Sequence, residues 1–171
     1  DNAQALPLLQ RAHADEPANE SVALLASGLV ANSPEAEAIV TAHLKAKPDS
    51  HAVRLSYVRV LTTAQRYGDA TAQLEAITRL APELAPPWLT LGALHLELRH
   101  PAEATAALNN YVRLVEAGSP NKAAEPASAA EEDSDESTNA REEGLTQAWL
   151  LLSQAAEQQG NFAAAESWLI R

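Results

Sequence analysis

The chain has 171 residues, 46% of them hydrophobic but only 4% aromatic, and it contains no cysteine, which excludes disulfides. Its 12 basic and 23 acidic residues give a formal net charge of −11, which argues against a broad basic surface for nucleic acid or anionic lipid. No apolar run is long enough to span a bilayer, so we expect no membrane insertion in this segment.

The N-terminal part of the chain predicts helices separated by proline and small polar residues. Pro7 removes a backbone hydrogen bond, so we expect regular helix only from near Leu6. A second helix is predicted over Asn19–Ala31. Ser33 followed by Pro34 is typical of an N-cap and a first-turn proline, and this pair predicts the start of a third helix.

From that point, pairs of short helices recur at a constant interval along the chain. Two series of small or apolar residues repeat at this interval of 34 residues: Ala36, Ala70 and Ala104, and Val40, Leu74 and Leu108. Pro48 and Pro82 are separated by the same interval, whereas the preceding unit, from Pro17 to Pro48, is three positions shorter. We expect the three missing residues to come from its inter-helix turn.

The clearest pair of helices spans residues 85–116. Its first helix places Trp88, Gly92 and His95 on one face, at spacings of three or four residues. Gly92 has no side chain, so a neighbouring helix can approach closely, and we expect Ala104 of the second helix at this crossing. The same spacing predicts that His95 is packed in the core.

These residues resemble the tetratricopeptide repeat, a helix-turn-helix unit with a 34-residue period. Trp149, Gly160 and Ala165 restart the pattern, so the resemblance covers nearly all of the chain except roughly residues 117–144. It implies an all-α fold, a right-handed α-solenoid of stacked hairpins with about nine helices. It also implies that the first helices line a concave groove that binds a peptide or a partner protein without catalysis.

The domain plan follows from where the pattern stops and resumes. Residues 1–116 are predicted to form half a repeat plus three repeats, and residues 145–171 the start of a further, truncated repeat. Residues 119–144 carry eight acidic and two basic residues without apolar periodicity, so residues 117–144 are predicted to be a disordered acidic insertion. Both ends fall inside helical patterns, so we expect the segment to be part of a longer array whose uncovered end faces self-associate.

The implied groove supplies the candidate partner-binding residues. They are Leu24, Leu55, Arg59, Leu89, Leu96 and Gln154. Only Arg59 is basic, so a lysine-rich clamp for a peptide carboxylate is unsupported. The leucines suit an amphipathic helix or an extended apolar segment, including a second copy of the chain. The alternative is that these leucines only continue the intramolecular packing.

No catalytic motif, phosphate loop or metal-ligand spacing is present, so we expect no enzyme activity, no cofactor and no metal. The five histidines lack the spacing of a zinc site. Asp133 and Asp135 lack the glycine and terminal glutamate of a calcium loop, which favours a solvated linker. Trp88 and Trp149 are predicted to be core residues.

Three classes of function stay open. The first is a bacterial scaffold or adaptor, favoured by the alanine-rich composition and by the Arg54–Leu61 run, which looks like that of bacterial envelope arrays. A periplasmic protein or an outer-membrane-anchored lipoprotein is then expected. The second is a cytoplasmic regulatory module. The third is the non-catalytic arm of a larger enzyme such as a glycosyltransferase.

Overall fold

The computed structural model describes residues 2–118 and 134–171. Within these ranges it contains nine α-helices, one short 3₁₀ turn at Val30–Asn32 and no strand. The helices are α1 (Asn2–Asp15), α2 (Glu20–Ser27), α3 (Pro34–Ala46), α4 (His51–Thr63), α5 (Tyr67–Leu80), α6 (Ala85–Glu97), α7 (Pro101–Glu116), α8 (Ser134–Gln158) and α9 (Phe162–Leu169). The all-α prediction is confirmed for these ranges, whereas the solenoid winding stays a prediction.

The helices form two compact units. Unit 1 comprises Asp1–Leu80 and unit 2 comprises Ala81–Arg171. In unit 1, α2 packs against α3 and α4, and α4 packs against α5. In unit 2, each helix from α6 to α9 packs against the next, and α6 also contacts α8. We call α2, α4, α6 and α8 the first helices, because each opens a helical hairpin, and α3, α5, α7 and α9 the second helices.

The four first helices bury the same positions. When their sequences are aligned, the buried residues fall into register, at the spacing that places side chains on one face of a helix. In chain order these residues are Val22, Ala23, Ala26, Ser27 and Val30; Val53, Arg54, Tyr57, Val58 and Leu61; Pro87, Leu91, Gly92 and His95; and Ala148, Leu152, Ser153 and Ala156. Trp88 and Trp149 occupy the remaining position in the last two sets and are half-buried.

Three of the inter-helix turns share one backbone geometry. Gln65, Arg99 and Gly160 each adopt a left-handed conformation, with φ of 57°, 60° and 73°. In each turn the amide of the residue that follows donates a hydrogen bond to the carbonyl oxygen five residues before it. This bond is typical of a helix C-terminus that ends in a left-handed residue. These bonds are Arg66 N to Leu61 O, His100 N to His95 O, and Asn161 N to Ala156 O, each at 2.8 Å.

The first hairpin is shorter because its turn is tighter. Ala36 follows Val30 by six positions, whereas Ala70 follows the corresponding Leu61 by nine, so the three missing residues do come from the turn. The predicted helix over residues 19–31 therefore ends early, at Ser27, and continues as the 3₁₀ turn.

The predicted start of α3 is confirmed, whereas the predicted start of α1 is wrong. Ser33 caps α3 by accepting a hydrogen bond from Ala36 N at 3.2 Å, and Pro34 follows at the first helical position. Helix α1 begins at Asn2, ahead of Pro7, rather than near Leu6. The proline lies in the second turn, where it cannot donate the backbone hydrogen bond, and the helix nevertheless continues to Asp15.

The α6–α7 crossing is as close as the glycine predicts. A Cβ placed on Gly92 would lie 2.5 Å from Leu108 Cγ and 3.4 Å from the carbonyl oxygen of Ala104. Helix α7 therefore occupies the space that any side chain at position 92 would need.

Helix α8 begins well before the predicted end of the acidic insertion. Residues 134–144 are helical, and residues 119–133 lie outside the described part of the chain, so the disorder predicted for them stays a prediction. Gly144 is a packing residue rather than a boundary, since a Cβ there would overlap the hydroxyl oxygen of Tyr111. Arg141 Nη2 also donates to Glu116 O at 3.3 Å, which holds this part of α8 against the end of α7.

Candidate functional site

One outward position carries a leucine on all four first helices. The shared buried pattern aligns Leu24, Leu55, Leu89 and Leu150. Leu24 is 37% exposed, Leu55 38% and Leu150 55%, while Leu89 is half-buried. We call these four residues the outward leucines. One turn further along each helix the aligned residues are Gly28, Arg59, Ala93 and Gln154.

In unit 1, hydrogen bonds fix α2 beside α4 at the level of the outward leucines. The Ser27 and Ser56 hydroxyls lie 2.6 Å apart, and Ser27 Oγ also donates to Leu24 O at 2.7 Å. At the other end of the helix pair, Ser50 Oγ donates to Glu20 Oε1 at 2.8 Å. These bonds hold one surface in place, which we call the unit 1 face: Leu24, Gly28, Leu55 and Arg59.

The unit 1 face combines apolar surface with one free positive charge. Arg59 is exposed and forms no hydrogen bond or ion pair through its side chain with any described residue. Gly28, at the aligned position that follows Leu24, presents no side chain, and only Leu25 O lies within 4 Å of a Cβ built there, at 3.5 Å. Residues 21–28 and 52–63, which supply this surface, contain no aspartate or glutamate.

Arg54, the other arginine of α4, is buried and structural. Its Nε donates to Pro48 O at 3.0 Å and its Nη1 to Gln73 Oε1 at 2.6 Å. Burial lowers the pKa of this guanidinium, and the nearby positive charge of Arg79 lowers it further. Arg54 is therefore held inside the hairpin, and Arg59 alone carries the charge of the unit 1 face.

In unit 2 the corresponding surface, which we call the unit 2 face, consists of Leu89, Ala93, Leu150 and Gln154. Leu89 packs against the core that contains Leu108 and Leu152. Leu150 borders an open depression of about 490 Å³ on α8 whose other lining residues are polar: Asn139, Glu142, Glu143, Thr146 and Gln147. The two faces therefore share the outward leucine but differ in charge.

Leu96 differs from the other candidate residues because it is part of the core. It is 3% exposed and packs in a cluster with Ala104 and Ala155. A side chain this buried offers almost no surface to a partner. For Leu96, the intramolecular packing that the sequence left open as an alternative is what the structure shows.

A polar cluster between α3, α4 and α5 has no counterpart among the sequence predictions. The Tyr57 hydroxyl donates to Glu37 Oε1, and Arg66 Nη2 lies 2.8 Å from the same oxygen and 2.6 Å from Asp69 Oδ2. The bonds from Arg66 and Tyr57 lower the pKa of Glu37, and burial together with the Glu37 bond raises the pKa of Tyr57. The cluster links three helices of unit 1.

The buried histidines are packing residues and show no metal-site geometry. His95 is 8% exposed, which confirms the predicted core position, and its ring centroid lies 6.0 Å from that of His100. His43 is fully buried, and neither ring nitrogen has a hydrogen-bond partner. Within residues 5–118 and 139–171, no three histidine or acidic side chains are grouped so as to hold a metal ion.

No helix in the described ranges is long and apolar enough to cross a membrane. A comparison with protein-family models found no match, and a search of curated proteins found no similar sequence. The two faces are therefore the features from which a function can be inferred.

Proposed function

We propose that this chain is a non-catalytic scaffold or adaptor that binds a partner protein or peptide through the outward leucines of its first helices. The observation that carries the proposal is that all four aligned outward positions hold leucine, although at least a third of the side chain stays in water at three of them. Single exposed leucines are ordinary on protein surfaces. In each unit a leucine repeats in register on two successive first helices, and at Leu24, Leu55 and Leu150 folding leaves more than a third of it exposed.

The proposal includes a tetratricopeptide-type solenoid. Support comes from the 34-residue period, the shared buried positions and the recurring left-handed turn residue. In such an array successive first helices of a unit lie side by side, so the two outward leucines of each unit belong to one surface. The same surface would serve an envelope scaffold, a cytoplasmic module or the non-catalytic arm of an enzyme.

A displayed library of random dodecapeptides tests the binding surface directly. Peptides captured by the full chain are synthesised and titrated against it and against two variants, Leu24→Asp/Leu55→Asp and Leu150→Asp. We expect each captured peptide to lose binding to at least one variant, because a carboxylate removes apolar contact area from the surface.

Leu80→Asp is the matched control. Leu80 is 52% exposed but lies at the end of a second helix, so its variant should bind every peptide as the wild type does. Circular dichroism must show unchanged helicity for all variants. If the captured peptides bind the two face variants and the wild type equally well, the outward leucines are not the binding surface.

A further inference from the structure

The unit 1 face is a positively charged apolar surface on a strongly acidic protein. The chain carries a net charge of −11, yet the parts of α2 and α4 that form this face contain no acidic residue. Leu24 and Leu55 are each more than one-third exposed, and the exposed guanidinium of Arg59 is not engaged by any described side chain. By contrast, Arg66 in the same unit is bound by two carboxylates.

The spacing within the face defines the shape of a complementary ligand. Arg59 follows Leu55 by four residues on α4, so their Cα atoms lie about 6 Å apart along the helix axis. An apolar side chain seated on the two leucines would place a carboxylate one helical turn away beside the guanidinium. Gly28, at the aligned position, presents no side chain that could compete with the ligand.

We propose that the unit 1 face binds an acidic amphipathic helix of a partner, in which an apolar anchor and a glutamate or aspartate lie one turn apart. This inference rests on the proposed function and adds the chemistry of the partner. Charge complementarity favours this class, because a basic segment would meet Arg59 and a purely apolar one would leave the guanidinium desolvated without an acceptor. A bidentate guanidinium–carboxylate pair would also fix the register of the helix on the face.

The test uses the peptides captured from the random library. Those that bind the wild type but not Leu24→Asp/Leu55→Asp define the ligands of the unit 1 face. We expect them to be enriched in acidic residues one turn from an apolar residue. Replacing that acidic residue by glutamine should weaken binding about tenfold, the effect of losing a charge-assisted hydrogen bond.

Arg59→Gln completes the comparison. It should weaken binding of the acidic peptides about as much as replacing their acidic residue by glutamine does. It should also abolish the difference in affinity between the acidic and glutamine forms of each peptide. Arg79→Gln, which changes an exposed arginine on second helix α5, should leave that difference intact. Added salt should weaken only the acidic forms.

The outcomes separate this inference from the function on which it rests. Peptides that need Leu24 and Leu55 but show no acidic preference and no response to Arg59→Gln would overturn the inference and leave the binding function standing. The same holds if every captured peptide depends on Leu150 alone. If the chain captures no peptide, or only peptides indifferent to all the outward leucines, both proposals fail.

Discussion

The hairpins α4–α5 and α6–α7 follow one another in the chain and have the same arrangement, but different side chains stabilise them. Trp88 Nε1 donates to Pro82 O at 3.0 Å, and Arg54 Nε donates to Pro48 O at the same distance. The two pairs occupy aligned positions, although an arginine and a tryptophan have little in common chemically. In these two hairpins an N–H group on a long side chain reaches the carbonyl before the helix, whereas the aligned residue of α2 is Ala23.

The two hairpins differ more in how closely their helices approach. Gly92 allows α7 to press Leu108 against the backbone of α6, whereas the aligned residue of α4 is Val58, which is 5% exposed. A valine fits the α4–α5 hairpin and would not fit the α6–α7 hairpin. Four sets of substitutions, in these hairpins and in the elements related to them, can break or sharpen this comparison.

Gly92→Val, which gives α6 the residue of α4, should have the largest effect. The new Cβ would overlap Leu108, and forcing extra carbon atoms into a packed core costs about 3 kcal/mol. All three tryptophans lie in unit 2, so urea unfolding followed by tryptophan fluorescence reports this loss. Gly68→Ala is the control, because nothing lies within 4 Å of a Cβ at that position, and its unfolding is followed by circular dichroism since unit 1 contains no tryptophan. Equal stability of Gly92→Val and wild type would contradict the close crossing.

Arg54→Leu should have the next largest effect and lower the free energy of unfolding by about 2 kcal/mol. The substitution leaves the Pro48 carbonyl and the Gln73 side chain without their hydrogen-bond donor. Arg54→Trp restores an N–H at the aligned position of Trp88 and should recover part of the loss. Urea unfolding followed by circular dichroism measures both variants. If Arg54→Trp is no more stable than Arg54→Leu, the shared donor is not what the position requires.

Glu37→Gln should cost about 1 kcal/mol at neutral pH, since it weakens the bonds from Tyr57 and Arg66 that link three helices of unit 1. The folded-state pKa of Glu37 is below its unfolded value. The stabilisation is therefore fully present above the unfolded pKa and is lost as pH falls through the folded one. Wild type and variant should therefore converge in stability only at a pH below the lowered folded-state pKa of Glu37. A constant difference from neutral to strongly acidic pH would argue against the linkage.

Gln65→Gly and Arg99→Gly should have the smallest effects and should stabilise the protein. Each relieves a left-handed conformation that costs a side chain roughly 1 kcal/mol, and the aligned third turn already uses Gly160. The reverse change, Gly160→Ala, should destabilise by a similar amount. Thermal unfolding of the three variants beside wild type measures the pattern. A loss of stability in both glycine variants would mean that the Gln65 and Arg99 side chains contribute more than the turn geometry suggests.

The sequence predicted what depends on spacing alone. The helix periodicity, the Ser33 cap, the close approach at Gly92 and the short first turn all follow from residue type and interval. Each involves a local backbone preference or the helical repeat, and neither requires knowledge of distant neighbours. The core position of His95 follows from the same register.

The sequence did not predict features that depend on a partner elsewhere in the fold. Composition assigned residues 134–144 to a disordered insertion, but contact with α7 through Gly144 and Arg141 makes them part of α8. Leu96, like the outward leucines, is a leucine on a first helix, and only the structure shows that it is buried. The burial of a leucine is decided by what packs against it.

The recurring turn has an evolutionary consequence. Gln65 and Arg99 end their helices in the same left-handed conformation. A gene crossover that joined Gln65 to His100 would therefore delete one whole repeat. The product would still have a left-handed residue before a second helix that begins with its own first-turn proline. A one-codon shift within a helix would rotate the buried stripe beyond it by about 100° around the helix axis. Unequal recombination in register can therefore lengthen or shorten such a gene by whole hairpins.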